Sequence, residues 1–302
     1  MVRVICTERL RAQQVLAPII TPHMDERMGD NINGPSLIRV PEWVHGALGR
    51  YYLYFAHHDG HYIRMAYADS LTGPWRTHAA GVLALSDSHF KGHIASPDVH
   101  VDHAQQRIRM YYHGAEYPTG PPGTQFSRVA VSADGLLFAA HEEILGNAYL
   151  RVVGYPLCHD RGYLGLAMPG VLYRSSNALS DFERGPTLFS KDMRHCALLR
   201  REDRLLVFYT NVGDTPERIL LSEIALTGDW HQWRASEPVT VLAPEHEFEG
   251  STCTLRASTR GLVTEPVNEL RDPAIYEEDG ALYLLYSVAG ERGIAIARLE
   301  LN

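Results

Sequence analysis

Residues 271–287, RDPAIYEEDGALYLLYS, are two short strands joined by a polar turn: a Pro near the entry, apolar and aromatic runs on either side, and EEDG at the bend. The same pattern recurs outward along the chain. NGPSLIRV (33–40) leads to RYYLYFAHH (50–58), SPDVHVD (96–102) to RIRMYYHG (107–114), and RHCALLRR (194–201) to RLLVFYTN (204–211). LRVVGYPLCHDRGYLGLAM (150–168) is a weaker copy. A third strand follows each time and runs into a turn ending in an aromatic residue: IRMAYADSLTGPW (63–75), SRVAVSADGLLF (127–138), VLYRSSNALSDF (171–182) and ILLSEIALTGDW (219–230). This is a β-meander repeating every roughly 45 to 60 residues, the spacing of propeller blades. The expected fold is all-β, a five-bladed β-propeller forming a single domain over residues 1–302.

The last copy, GIAIARLELN (293–302), stops at its third strand, while QQVLAPII (13–20) resembles VTVLAPEH (239–246) at the outer edge of the fourth. The N-terminal segment is therefore expected to supply the missing strand, closing the last blade and removing an open sheet edge. The 25 Gly and 17 Pro interrupt every candidate helix.

The formal charge of -8 argues against a nucleic-acid partner, since no basic stripe is available to neutralise phosphates. No apolar run suits a membrane span or a secretory leader, so no membrane partner and a cytoplasmic location are expected. Cys6, Cys158, Cys196 and Cys253 are scattered without metal-site spacing and read as buried free thiols.

In an antiparallel four-stranded blade, the loop before the first strand and the loop between the second and third strands share one face of the ring. That face collects the carboxylates, histidines and arginines and the two longest connections, 17–35 and 243–273. Turns on the opposite face, including His45, His103, His159, Glu277 and Asp279, read as solvated hairpin tips. Polar groups converging on a funnel suit a small carbohydrate, with His57, His58, His113, Arg151, Arg194, Asn211 and Arg271 as substrate-binding candidates. The three arginines recur at one offset, giving either a cationic ring for a carboxylated or sulfated sugar or a ring of salt bridges to Asp272 and its neighbours.

The repeat resembles the five-bladed propeller glycoside hydrolases, a group that includes family 43 arabinanases and xylosidases, family 32 invertases and family 117 neoagarobiose hydrolases. The likeness rests on RDPAIYEEDGALYLLYS, on NGPSLIRV with YYLYFAHH, and on SLTGPW closing the first blade. It implies an Asp near a strand start as general base or nucleophile, another Asp that tunes the pKa or holds the substrate, and a Glu as general acid. Asp272 matches such a position; the equivalent positions of the other blades are Gly34, Ser96, Val152 and His195. The remaining catalytic acids are thus expected from loops, with Asp30, Glu116 and Glu249 as candidates, Glu249 in the FEGS motif as proton donor. The resemblance also implies either no cofactor or a single divalent cation, such as calcium, near the axis, with His195 as a metal ligand.

The expected function is cleavage of a small oligosaccharide or glycoside by acid/base, inverting hydrolysis. Two alternatives stand beside it: a metal-dependent hydrolase or lyase of an ester, phosphate or sulfate using the funnel histidines, and a non-catalytic sugar-binding propeller. Oligomeric state is left open.

Overall fold

Aromatic and aliphatic residues dominate the second strand of four of the five repeats, DRGYLGLA of the third being the exception, and such residues favour a pleated surface buried on both sides. The computed structural model describes residues 3–117, 125–157 and 160–302; Cys158 and His159 lie outside them. Five antiparallel sheets form a ring. From the axis outward, the first blade is Asn33–Arg39, Tyr51–Ala56, Tyr62–Ala68 and Arg76–Thr77, and the second is Ile94–Asp102, Arg107–Ala115, Gln125–Ser132 and Ala139–Ala140. The third is Arg151–Leu157, Asp160–Ala167, Val171–Ser175 and Glu183–Thr187, and the fourth is Met193–Arg201, Arg204–Asn211, Ile219–Ala225 and Val239–Leu242. Arg271–Glu278, Ala281–Ser287, Ile294–Leu301 and, from the other end of the chain, Val4–Arg9 make the fifth. The helical segments among the described residues are short 3-10 turns, and no helix is long and apolar enough to cross a membrane.

Each sheet packs on the next through its own apolar cluster. Tyr52, Tyr54 and Met65 meet Ile94, Met110 and Tyr112 between the first two blades, and Leu37, Leu53 and Phe55 meet Leu285 and Ile296 where the ring closes. Successive side chains of one strand thus serve two different interfaces, so the strands read as continuous apolar runs instead of alternating ones. Burial of one phenylalanine such as Phe55 or Phe208, both wholly enclosed, contributes roughly 1.5–3 kcal/mol.

The closing strand lies earlier than expected. Val4–Arg9 pairs with Ile294–Leu301, with Thr7 opposite Leu299 and Arg9 opposite Ala297. Of QQVLAPII, only Ile19 and Ile20 bond this edge, both donating to the Ile294 carbonyl. The likeness to VTVLAPEH therefore marks the end of the closure, not its main strand. Cys6, on the closing strand, is exposed, whereas Cys196 is buried as expected.

Arg9 locks the closure. Its guanidinium donates to both carboxylate oxygens of Glu249 at 2.7 and 3.1 Å and to the Ala243 carbonyl at 2.8 Å. Glu249 is fully enclosed and accepts further bonds from the Tyr286 hydroxyl and the Glu245 and His246 amides. Truncating Arg9 leaves that charge buried without its counterion, a cost of about 3–5 kcal/mol. Arg9→Ala is expected to lose that much in urea unfolding, and Arg9→Lys, which cannot reproduce the forked contact, to recover only part of it.

Candidate active site

Four of the five innermost strands carry the same defect. Their ladders slip between Asn33 and Ser36, Ala95 and Asp98, Arg194 and Ala197, and Arg271 and Ala274, so that two residues oppose one on the second strand. The first residue of each bulge, Gly34, Ser96, His195 and Asp272, has a left-handed backbone with φ of 62, 48, 50 and 48°. Pro35, Pro97 and Pro273 fill the second position in three blades, where no ladder donor is needed. A bulge re-aims the side chain it carries. The third blade departs from this pattern: its ladder runs without a slip from Arg151 to Leu157, and the left-handed residue is Tyr149 (φ 61°), ahead of the strand. Tyr149, not Val152, is the third blade's contribution to the axis.

The histidine and the carboxyl of the last two bulges meet. His195 Nδ1 lies 3.7 Å from Asp272 Oδ1, and the Ser287 hydroxyl donates to Oδ2 at 3.1 Å. Burial, with the charge of Glu291 added, pushes the Asp272 carboxyl up to about 6. Burial and the cations Arg194 and Arg271 hold His195 well below the usual imidazole range, so it is neutral. The Tyr149 ring is tilted against His195 at 5.0 Å and stacked on His113 at 4.1 Å.

Around this pair runs a buried ionic network. Arg194 forks onto Glu217, Arg271 onto Glu269, and Arg271 also reaches Glu291 at 3.1 Å. Glu291 in turn contacts His58 Nδ1 at 2.9 Å and accepts from the Asn31 amide at 2.6 Å. Burial opposes the charge on both partners, but their contact prevails: His58 is raised above its ordinary value, and Glu291, with Arg271 and Asn31 assisting, falls to about 2. The cations Arg194, Arg271 and His58 thus balance the carboxylates Glu217, Glu269 and Glu291.

A cavity of about 400 Å³ opens beside this network on the predicted face, walled by His58, His93, His113, Tyr149, Arg194 and His195 among others. Of the expected substrate-binding residues, it brings together His58, His113 and Arg194. Arg271 is wholly enclosed by its glutamates, and of the two readings of the recurring arginines the salt bridges hold for Arg194 and Arg271, with Glu217, Glu269 and Glu291 as partners. Arg151 spans the channel, donating to the Ser96 and Cys196 carbonyls, and faces the opposite mouth. His57 accepts from the Asp59 amide, and Asn211 accepts a bond from Ser258 through its carbonyl; neither lines the cavity.

The loop carboxylates do not converge. Asp30 sits half exposed on Arg292 at 2.6 Å, which holds it in the ionised form. Glu116 pairs with Arg128 at 3.3 Å, and Glu249 serves the ring closure described above. Neither Asp30, Glu116 nor Glu249 lines the cavity. Among the described residues, no group of three or more His, Cys, Asp or Glu is placed to hold a metal ion, and His195 instead faces Asp272 and Tyr149. Sequence reasoning missed Tyr149, Glu217, Glu291, Lys191 and Arg260. A signal for two of them exists: Glu-Arg recurs just before the third strand in the last two blades, at 217–218 and 291–292.

The fold is that of the five-bladed propeller glycoside hydrolases. An α-L-arabinofuranosidase from Lactobacillus brevis matches with TM-score 0.59 at 13% identity, over 96% of this chain and 94% of that one. A family 43 enzyme from Xanthomonas citri, solved with xylose, gives 0.61 at 12% identity, over 94% and 90%. A structure described under the family 130 mannoside phosphorylases and glycoside hydrolases gives 0.69 at 11%, over 98% and 94%. No family model matches the sequence. The chain belongs to the family of Uncharacterized protein R118 of Acanthamoeba polyphaga mimivirus, with which it is 36% identical over 307 positions, 89% of this chain and 83% of the viral one.

The network sets a pH window. Glu291, depressed in the fold, contributes stability that is present above about 4.5 and lost as pH falls towards about 2. His58, raised, contributes stability that is present below 6.5 and lost as pH rises through its folded value. Glu291→Gln strands His58 and leaves Arg271 with Glu269 alone as its close partner, and is expected to cost about 3 kcal/mol between those limits. Urea unfolding across pH should show the acid-side slope diminished in this variant.

Proposed function

We propose that this protein is a glycoside hydrolase-like enzyme that cleaves a small oligosaccharide or glycoside in the funnel by acid/base chemistry. One observation carries the reading: two histidines on one cavity wall are shifted in opposite directions, each beside a buried carboxylate. Paired titratable groups pushed apart by their surroundings mark the proton donor and the proton acceptor. His58, kept protonated by Glu291, gives a proton to the departing glycosidic oxygen. Neutral His195 takes one from the attacking water as its oxygen bonds to the anomeric carbon. Asp272, ionised above about pH 6 and behind the ring, is a positioning residue that stabilises the imidazolium so formed. A 400 Å³ cavity suits a short sugar. The fold likeness to glycoside hydrolases supports this assignment, with the His195 imidazole at a blade start where the resemblance implies a carboxylate.

A panel of aryl glycosides and short oligosaccharides tests it. Turnover is expected, with kcat/KM rising through an apparent pKa near 6 and falling again above 6.5 as His58 loses its proton. Absence of turnover on every sugar, with the fold intact, would sink the reading.

Asp272→Asn separates chemistry from stability. Its folded pKa is raised, so the associated stability is present below the unfolded value and lost as pH rises through about 6. Asn tolerates the left-handed backbone and carries no charge. The variant is therefore expected to lose about 100-fold or more in kcat, with the low-pH limb displaced, while gaining up to ~3 kcal/mol in unfolding at pH 7.5. Equal loss of activity and stability would show Asp272 to be purely structural.

A further inference from the structure

We infer that the cavity takes a sugar together with an oxyanion, either as the sugar's own carboxylate, phosphate or sulfate or as a free anion bound beside it; this rests on the funnel being a glycan-cleaving site. No Asp or Glu side chain is among the residues lining the cavity. In a chain of net charge -8, a funnel wall without acids is a local inversion of sign. Two cations stand at its rim, Lys191 from the loop before the fourth blade and Arg260 from the long loop before the fifth. The Arg260 guanidinium donates to the Lys191 carbonyl at 2.9 Å, which holds the two loops side by side. Neither side chain makes an ion pair among the described residues, in contrast to Arg194, whose charge Glu217 offsets. Asp192, next in sequence to Lys191, does not line the cavity. Deeper in the wall, buried His113 has no partner for Nδ1. Two cations without ion pairs among the described residues and a free ring nitrogen, around a space with no acid among its described lining residues, recognise an oxyanion.

Binding measured by calorimetry and thermal shift with matched probes tests this: glucose against glucuronate and glucose 6-phosphate, 4-nitrophenyl β-glucoside against the β-glucuronide, and inorganic phosphate with and without glucose. Charged sugars are expected to bind at least about tenfold more tightly than their neutral counterparts, roughly 1.4 kcal/mol, with the margin shrinking at high salt. If neutral sugars bind only when phosphate is present, the oxyanion is a free anion and the site stands. Lys191→Gln with Arg260→Gln, both at exposed positions, should erase the preference without loss of fold. Equal binding of charged and neutral sugars in the presence and absence of phosphate, or a preference that survives the double variant, overturns the inference. Cleavage of neutral glycosides in the absence of phosphate with no charge preference would do so while leaving the acid/base reading intact. Charged sugars held through Lys191 and Arg260 but never cleaved would remove the acid/base reading and leave the oxyanion site in place.

Discussion

The bulge at the start of the innermost strand is the constraint on which the rest of the molecule depends. Two residues facing one aromatic partner give four of the five blades one position that need not enter an interblade core. A left-handed residue at that place is costly for most amino acids, and the chain meets the cost with the residues that bear it best or that function requires. Gly34 has no freedom here: a Cβ would stand 2.8 Å from the Ser96 Cα. The first blade therefore contributes close packing of backbone to the axis, and the fourth and fifth contribute titratable side chains, His195 and Asp272.

Removing His195 and Asp272 from water requires compensation, and the buried network supplies it. Arg194 and Arg271 each directly precede a bulge residue, so the same local distortion that aims the imidazole and the carboxyl inward also carries a guanidinium beside each of them. Isolated, these cations would be prohibitive; forked onto Glu217 and Glu269 they are tolerated. Such a network is weak evidence for net stability, but it fixes local charge. It keeps His195 neutral and, through Glu291, His58 protonated.

The ring and its blades were legible because the repeat is written in local terms: turn residues, aromatic strands and their spacing. Sorting loops by face was equally sound, since it follows from antiparallel connection alone, and every wall residue of the cavity lies on the face so derived. Partner choice was less legible. Glu249 and Asp30 have the residue type and loop position of catalytic acids, yet arginines distant in sequence claim both, Arg9 across the closure and Arg292 across the rim. Tyr149 escaped because the third blade lacks the slip that marks the others, and Glu217 and Glu291 because their role appears only when blades are superposed and arginines are found facing them.

Charge is divided across the funnel along the line where the ring closes. Asn31 and His58 come from the first blade, Arg194 and Glu217 from the fourth, and Glu269, Arg271 and Glu291 from the fifth. The second and third blades contribute His93, His113 and Tyr149, whose imidazoles burial keeps neutral and whose rings pack edge to face and stacked. A bound sugar would therefore meet an aromatic wall on one side and the ionic network on the other, with Lys191 ahead of the fourth blade and Arg260 ahead of the fifth. Such asymmetry fixes ligand orientation without requiring every blade to carry a polar anchor. It also gathers the charged groups of the funnel on the first, fourth and fifth blades, and the N-terminal strand that Arg9 anchors to Glu249 completes the fifth of them.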